Sequence, residues 1–248
     1  DAVRESFDRL GYTVSHRVVT ASEFGVPQHR RRLLVVATRD GAPSAPLDGF
    51  AVAPVTEPGV MDGVGDLPRV GAGEESTAYR RPPETVLQRD LRGDSSSLTA
   101  HVAANHSDEM VEMISHISDG GDRTEIPDDL QPSSGYHNSY SRLDSTEPAV
   151  AITSNMSKPS SARCIHPFQD RGLTPREGAR LQTFPDSYEF TGSLVSIRRQ
   201  IGNAVPPYLG EAMGYFLREN VFGDGLTSTD RERIHRLRAG AEPVDALA

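Results

Sequence analysis

The sequence has no tryptophan, one cysteine and one lysine, and aromatic residues make up only 6% of its 248 positions. A lone cysteine, Cys164, excludes an internal disulfide and any zinc site built on several thiolates. No stretch approaches the roughly 18 to 20 apolar residues that a membrane span requires. The opening run Asp1-Ala2-Val3-Arg4-Glu5 has neither the basic start nor the apolar core of a signal peptide. The expectation is a reducing, cytoplasmic setting with no membrane partner. Positive charge is also scarce: the formal net charge is -9, which argues against phosphate neutralisation by a broad basic face. Yet Lys158 is the single lysine among 26 Lys and Arg residues. The rest are arginines, the side chain suited to forked contacts with phosphate and guanine. An acidic, nearly lysine-free surface around selected arginines points to adaptation to high salt.

With 36% hydrophobic residues there is enough apolar material for a packed core. The chain opens without Met in an amphipathic pattern, Val3, Phe7 and Leu10, stopped by Gly11, so it looks cut from something longer. A strand is expected over Tyr12 to Thr20, a loop from Ser22 to Arg31, and a second strand from Arg32 to Thr38. In the second strand Leu33-Leu34-Val35-Val36-Ala37 is apolar on both faces, as in a strand sandwiched inside an α/β sheet. From Asp40 to about Val60 the composition turns to Gly, Pro and Ala, a linker signal. Residues 61–145 read as loops and short strands around one helix. Ser107 can cap that helix, and Met110, Val111, Met113, Ile114 and Ile117 form its apolar side, with Gly120-Gly121 at its end. Thr174-Pro175-Arg176-Glu177 is a capping box with proline at the first helical position. The Gly202 to Pro207 segment launches a last long helix with Leu209, Met213, Phe216 and Leu217 at core spacing. Beyond Gly223 the charged tail is expected to be frayed or a lone surface helix.

Three segments carry the chemistry. They are Gly25-Val26-Pro27-Gln28-His29-Arg30-Arg31-Arg32, the run from Arg171 through Thr174-Pro175-Arg176-Glu177 to Asp186, and Gln200-Ile201-Gly202-Asn203-Ala204-Val205-Pro206-Pro207. In this order they resemble the eighth, ninth and tenth motifs of the DNA cytosine-5 methyltransferases. The variable stretch between the first two stands where that family places target recognition. Gly65-Asp66-Leu67-Pro68, Tyr140-Ser141-Arg142-Leu143-Asp144 and Ile165-His166-Pro167 fit as well. The Pro-Cys nucleophile pair, the catalytic Glu-Asn-Val and the Gly-rich cofactor loop, which should precede the first segment, are absent. Glu219-Asn220-Val221 sits after the third motif with no Pro-Cys, so it reads as helix, not catalyst. Cys164 reads as structural. His101, His106 and His116 match no metal-binding spacing, so no metal is expected.

The resemblance implies the C-terminal portion of a Rossmann-like class I methyltransferase domain, α/β in class, with an inserted small mixed α+β recognition domain. Residues 1–48 would end the catalytic domain, 49–195 would hold target recognition with the ninth motif, 196–220 would return to the catalytic domain, and 221–248 would be a polar tail. The family flips a cytosine out of duplex DNA, adds a cysteine thiolate to carbon 6 and takes a methyl group for carbon 5 from S-adenosyl-L-methionine. By resemblance Arg32 would donate to the 2-oxygen of the flipped base, and Arg30 would support the catalytic loop or a phosphate. The alternative for both is backbone phosphate contact. Since they are two apart on an extended segment, they should share a face. Asn203 and the Ala204 backbone would meet the carboxylate of the methyl donor at a helix start. Arg176 would be buried in polar contacts or touch DNA phosphate, and recognition would fall to residues within 61–165. The partners implied are double-stranded DNA and a complementary chain carrying the N-terminal motifs, in a restriction-modification or other methylation role. The competing reading is a non-catalytic recognition subunit or decayed remnant.

Overall fold

The structure is a computed structural model that describes residues 2–39, 47, 50, 52–132 and 139–247. The first half of the chain contains α1 (Ala2–Arg9), β1 (Thr13–Thr20), β2 (Gln28–His29), β3 (Arg31–Thr38), α2 (Val60–Val64), α3 (Val86–Arg92) and α4 (Asp108–Ser115). Then come β4 (Ser141–Arg142), β5 (Ala149–Val150), β6 (Arg163–Ile165), α5 (Pro175–Leu181), α6 (Leu194–Asn203), α7 (Pro207–Asn220) and α8 (Ser228–Arg238). Residues 40–46, 48, 49 and 51 of the expected linker, and the side chain of Val3, lie outside the described residues.

β1 and β3 pair antiparallel, with Thr13 opposite Thr38 and Thr20 opposite Arg31. The alternation of β3 turns Leu34 and Val36 toward the first core, where Val19, Phe24, Leu87, Leu91, Leu209 and Leu237 meet. Its other face is open: Leu33 is 60% and Val35 41% exposed, and Val18 of β1 is 50% exposed. The expectation of a strand covered on both faces is therefore not met among the described residues.

The second core joins Val60, Ile152, Leu173, Leu181 and Ile201. β2 threads into it, pairing parallel to β5 with Gln28 opposite Ala149. A third cluster, Ile114, Ile117, Ile126, Tyr140 and Ile165, lies under α4. Ser107 caps α4 as expected, accepting from the Met110 N-H at 3.3 Å. The helix stops at Ser115, short of Gly120-Gly121. The Ile114 carbonyl in its last turn and the Ile117 carbonyl just beyond it accept from the buried Arg142 guanidinium at 2.8 and 2.7 Å, a cation where the helix dipole favours one.

α8 is not a lone surface helix. Leu237 is fully buried in the first core, and Arg233 bridges Glu211 of α7 at 2.8 Å. It also pairs with Asp90 of α3 at 2.5 Å. Gly25 explains the close approach: its φ of 75° suits glycine, and a Cβ there would stand 2.5 Å from the Leu237 carbonyl oxygen. Helices α2, α3 and α6 are additions to the sequence reading.

Candidate functional site

The three motif segments meet. Gln28 is completely buried, and its amide nitrogen donates to the Leu181 carbonyl at 3.0 Å and to Oε1 of Gln182 at 3.2 Å. Its amide oxygen accepts from the Ile152 N-H at 2.8 Å. Gln182 in turn donates to the Ile201 carbonyl at 2.8 Å. Thr183, in the left-handed region at φ 62°, offers its hydroxyl oxygen to the Tyr208 N-H at 3.2 Å. Two glutamines and one threonine thus tie the eighth-motif-like turn to the end of α5 and to the α6–α7 junction. Neither glutamine was singled out from sequence, although both lie inside the quoted strings.

Arg30 is 4% exposed. Its guanidinium donates to the Ile152 and Gly202 carbonyls, each at 2.8 Å, while its Nε has no partner. Burial, helped by the charge of Arg32, lowers its pKa to about 10, which leaves it protonated at neutral pH. Arg32 is exposed, held only to the Arg31 carbonyl at 2.7 Å. The shared face expected of the pair does not arise. Arg30 falls between β2 and β3, which pair with different strands, so the simple alternation is broken there. What remains is a rigid buried arginine next to a free one.

α5 is buried along its whole length, including two arginines, Arg176 and Arg180, that a surface helix would turn to water. Its capping box is complete: Thr174 accepts from the Glu177 N-H at 3.1 Å, and Glu177 accepts from the Thr174 N-H at 2.8 Å. Arg171 grips Glu177 with two hydrogen bonds of 2.8 and 2.7 Å. Burial alone would raise the Glu177 carboxyl, but this guanidinium outweighs it and holds the group well below the usual carboxylate range. Arg180 pairs with Asp186 at 2.6 Å and Asp66 at 3.0 Å. Burial would weaken its protonation, yet these two carboxylates keep it charged. The Gly65-Asp66-Leu67-Pro68 string therefore has a role that the sequence reading did not give it: Asp66 anchors that turn to α5.

Arg176 is fully buried, donating to Thr99 (carbonyl 2.9 Å, hydroxyl 2.6 Å), to the Tyr188 carbonyl at 3.1 Å and to the Pro185 carbonyl at 3.2 Å. The polar-contact expectation holds and the DNA contact does not, since no phosphate can reach a guanidinium enclosed by its own chain. Asn203 ends α6 and Ala204 is its C-cap, with the Ala204 N-H committed to the Ile201 carbonyl at 3.2 Å. The following helix opens on Pro206 and Pro207, which have no N-H. With the Tyr208 N-H also committed to Thr183, this helix start offers fewer free donors than the placing of a methyl-donor carboxylate assumed. Of the pair, only the exposed Asn203 side chain is available, and the described residues do not by themselves make a site for S-adenosyl-L-methionine.

Cys164 is buried and its thiol is pushed up to about 12 by desolvation, which removes it as a nucleophile. Glu219 and Asn220 stand exposed at the end of α7. His101 is buried between Thr174 and the Pro68 carbonyl, and His106 accepts from the Gly172 N-H at 3.1 Å. No group of three metal-ligating side chains occurs among the described residues, and none of their helices is long and apolar enough to cross a membrane.

Comparison with known sequences decides the family. The profile described as C-5 cytosine-specific DNA methylase matches residues 1–219. The chain belongs to the C-5 cytosine-specific DNA methylase family. Among curated relatives, Type II methyltransferase M1.HphI of Haemophilus parahaemolyticus is 37% identical over 85% of this chain and 49% of its own length. Type II methyltransferase M.DdeI of Desulfomicrobium norvegicum is 29% identical over 93% of this chain and 61% of its own. DNA (cytosine-5)-methyltransferase 1A of Oryza sativa subsp. japonica is 31% identical over 86% of this chain and 17% of its own. This methylase chain therefore spans about half to two thirds of the bacterial relatives it matches. The fold agrees with a crystal structure of a prophage-encoded E. coli protein described as a DNA modification methyltransferase. That match has a TM-score of 0.69 and 20% identity, over 88% of this chain and 64% of the other. Dnmt2 of S. pombe gives a TM-score of 0.52 at 14% identity, over 88% of this chain and 60% of its own. The methylase fold is thereby established as mixed α/β.

Proposed function

We propose that this chain is the C-terminal part of a DNA cytosine-5 methyltransferase, carrying the eighth, ninth and tenth motifs and the target-recognition region, and that it works with a complementary chain bearing the nucleophile. The observation that carries the reading is the convergence at Arg30. One guanidinium joins the turn before β3 to Ile152 and to Gly202, within the third motif, and leaves Arg32 exposed beside it. In this reading Arg32 donates to the 2-oxygen of a flipped cytosine as the thiolate of the partner chain adds. A preorganised donor aimed at developing charge is worth roughly 2 to 4 kcal/mol of barrier. Arg30 is then a positioning residue that fixes the backbone from which Arg32 projects.

S-adenosyl-L-methionine, the donor expected of this family, supplies the methyl group. It would be held mainly by the partner chain, with Asn203 as this chain's one exposed contribution. Recognition falls within 61–165, on a scaffold anchored by Arg180, Asp66 and Asp186. The division at 49–195 has a soft edge, since Leu87 and Leu91 of α3 lie in the core shared with Val19 and Leu237.

The test is single-turnover methylation of mixed-sequence duplex DNA after adding a chain that carries the Gly-rich loop, Pro-Cys and Glu-Asn-Val. The mixture is expected to methylate one sequence, and this chain alone none. Arg32→Ala is expected to slow the chemical step about 30- to 1,000-fold, with little change in DNA affinity. An unchanged step with uniformly weaker binding would make Arg32 a phosphate contact. Methylation by this chain alone that Cys164→Ser abolishes would overturn the assignment.

A further inference from the structure

Two adjoining clefts, of about 440 and 470 Å³, share Arg69, Arg80 and Gln169 as lining and so form one trough. Its charge is unusual in a chain of net charge -9. Arg69, Arg80 and Arg81 all stand exposed along it. Arg81 is neutralised by Glu84 at 3.2 Å. Among the described residues, Arg69 reaches only the Phe168 carbonyl, at 3.2 Å, and Arg80 has no hydrogen bond or ion pair. Of the carboxylates nearby, Asp170 pairs with Arg142 at 2.7 Å, while Glu74 accepts from the Gly71 N-H at 2.7 Å and keeps its negative charge at one end of the trough. Arg171, on the inner wall, is consumed by Glu177. Two unneutralised guanidinium groups therefore face the trough.

The walls are fixed. The turn leading to Arg69 is anchored through Asp66 to the buried Arg180. The opposite wall is fastened by Gln169, whose amide oxygen accepts from the Val70 N-H at 2.9 Å. Phe168 stands on the rim with half its surface exposed, offering an aromatic face beside the two cations. A fixed trough with forked cations and one exposed ring matches the chemistry of a sugar-phosphate backbone.

We propose that this trough is a backbone-phosphate clamp for duplex DNA, with Arg69 and Arg80 each contacting a phosphate and Phe168 packing against the intervening sugar. The proposal rests on the DNA-methyltransferase reading and adds to it a sequence-independent contact that fixes register while the recognition loops select the site.

The experiment is fluorescence anisotropy of labelled duplexes of several sequences with the full chain, over a salt series. Arg69→Ala/Arg80→Ala is expected to weaken binding at least tenfold at low salt on every sequence. It should also reduce the slope of log affinity against log salt by about 2, since each phosphate contact contributes roughly 0.9. Arg69→Lys/Arg80→Lys should keep the slope, and Phe168→Ala should weaken binding without altering it. Melting temperatures of all variants should match the parent, because the altered side chains are exposed. A wild-type slope in the double alanine variant removes the clamp and leaves the methyltransferase reading standing. Failure of the unaltered chain to bind any duplex at the lowest salt, with the complementary chain present, sinks both. Stabilisation by inorganic phosphate but not by duplex DNA would mark a small-anion site and overturn the clamp.

Discussion

Arginine 30 and arginine 32 are two residues apart and do opposite work, and burial is what separates them. Arg30 sits where two backbone carbonyls, those of Ile152 and Gly202, would otherwise lack donors. Removing its side chain leaves buried acceptors and a void. Arg30→Ala is expected to lower unfolding free energy by about 2 to 4 kcal/mol, whereas Arg32→Ala should shift it by less than about 0.5 kcal/mol. Urea denaturation with unchanged m-values measures both, and equal effects would dissolve the distinction. The same contrast shows what sequence can tell. That these arginines matter follows from the local string; which one is enclosed depends on Ile152 and Gly202, more than a hundred residues away. Arg176 makes the point again, since Thr99 and Tyr188 decide its burial.

Among the elements, α5 was the most legible, whereas the packing of α8 was not legible. The cap of α5 is written into Thr174, Pro175 and Glu177, and local chemistry suffices to place it. α8 looked like a frayed tail because one leucine, Leu237, does its packing, and a single apolar residue makes no periodic signal. The N-terminal end of α5 also carries a pH dependence. His166 is buried 3.7 Å from Glu177, and desolvation lowers its pKa from the usual 6.5 to about 4. His101 and His106 shift in the same direction, mainly through burial. The unfolded chain thus takes up protons near pH 6.5 that the folded chain refuses until much lower pH. Stability is complete above 6.5 and falls as pH drops through the window down to about 4. For His166 the loss approaches 1.4 kcal/mol per pH unit in that window. Glu177, with its depressed pKa, adds a further loss only once pH falls below the ordinary carboxylate range. Thermal melting between pH 7 and 5 should show a steady decline that His166→Asn makes shallower. A flat profile in the parent chain would show that these histidines titrate normally in the fold.

For the molecule as a whole, the open face of the β1–β3 ribbon is the feature that the composition did not foretell. Val18, Leu33 and Val35 are exposed on a ribbon that has two strands among the described residues. A ribbon of two strands is marginal without further strands or a covering layer, and its apolar residues have the both-faced character of a strand inside an α/β sheet. The chain also spans only 49% of its relative M1.HphI. In the proposed two-chain enzyme the complementary chain extends the ribbon at its edges with strands and covers this face with helices. Leu33→Asp/Val35→Asp tests this directly. Because both side chains are exposed, the variant should fold with a melting temperature close to that of the parent. Charging a surface that must be desolvated on association should weaken binding of the complementary chain at least a hundredfold, about 2.7 kcal/mol. Methylation should fall in proportion and recover when the complementary chain is supplied in large excess, since the chemical groups, Arg32 among them, are untouched. Recovery at high concentration is the decisive outcome: it separates a damaged interface from a damaged site. Association at the parent affinity, measured by titration calorimetry, would mean that the two chains meet elsewhere and that this apolar face serves another contact.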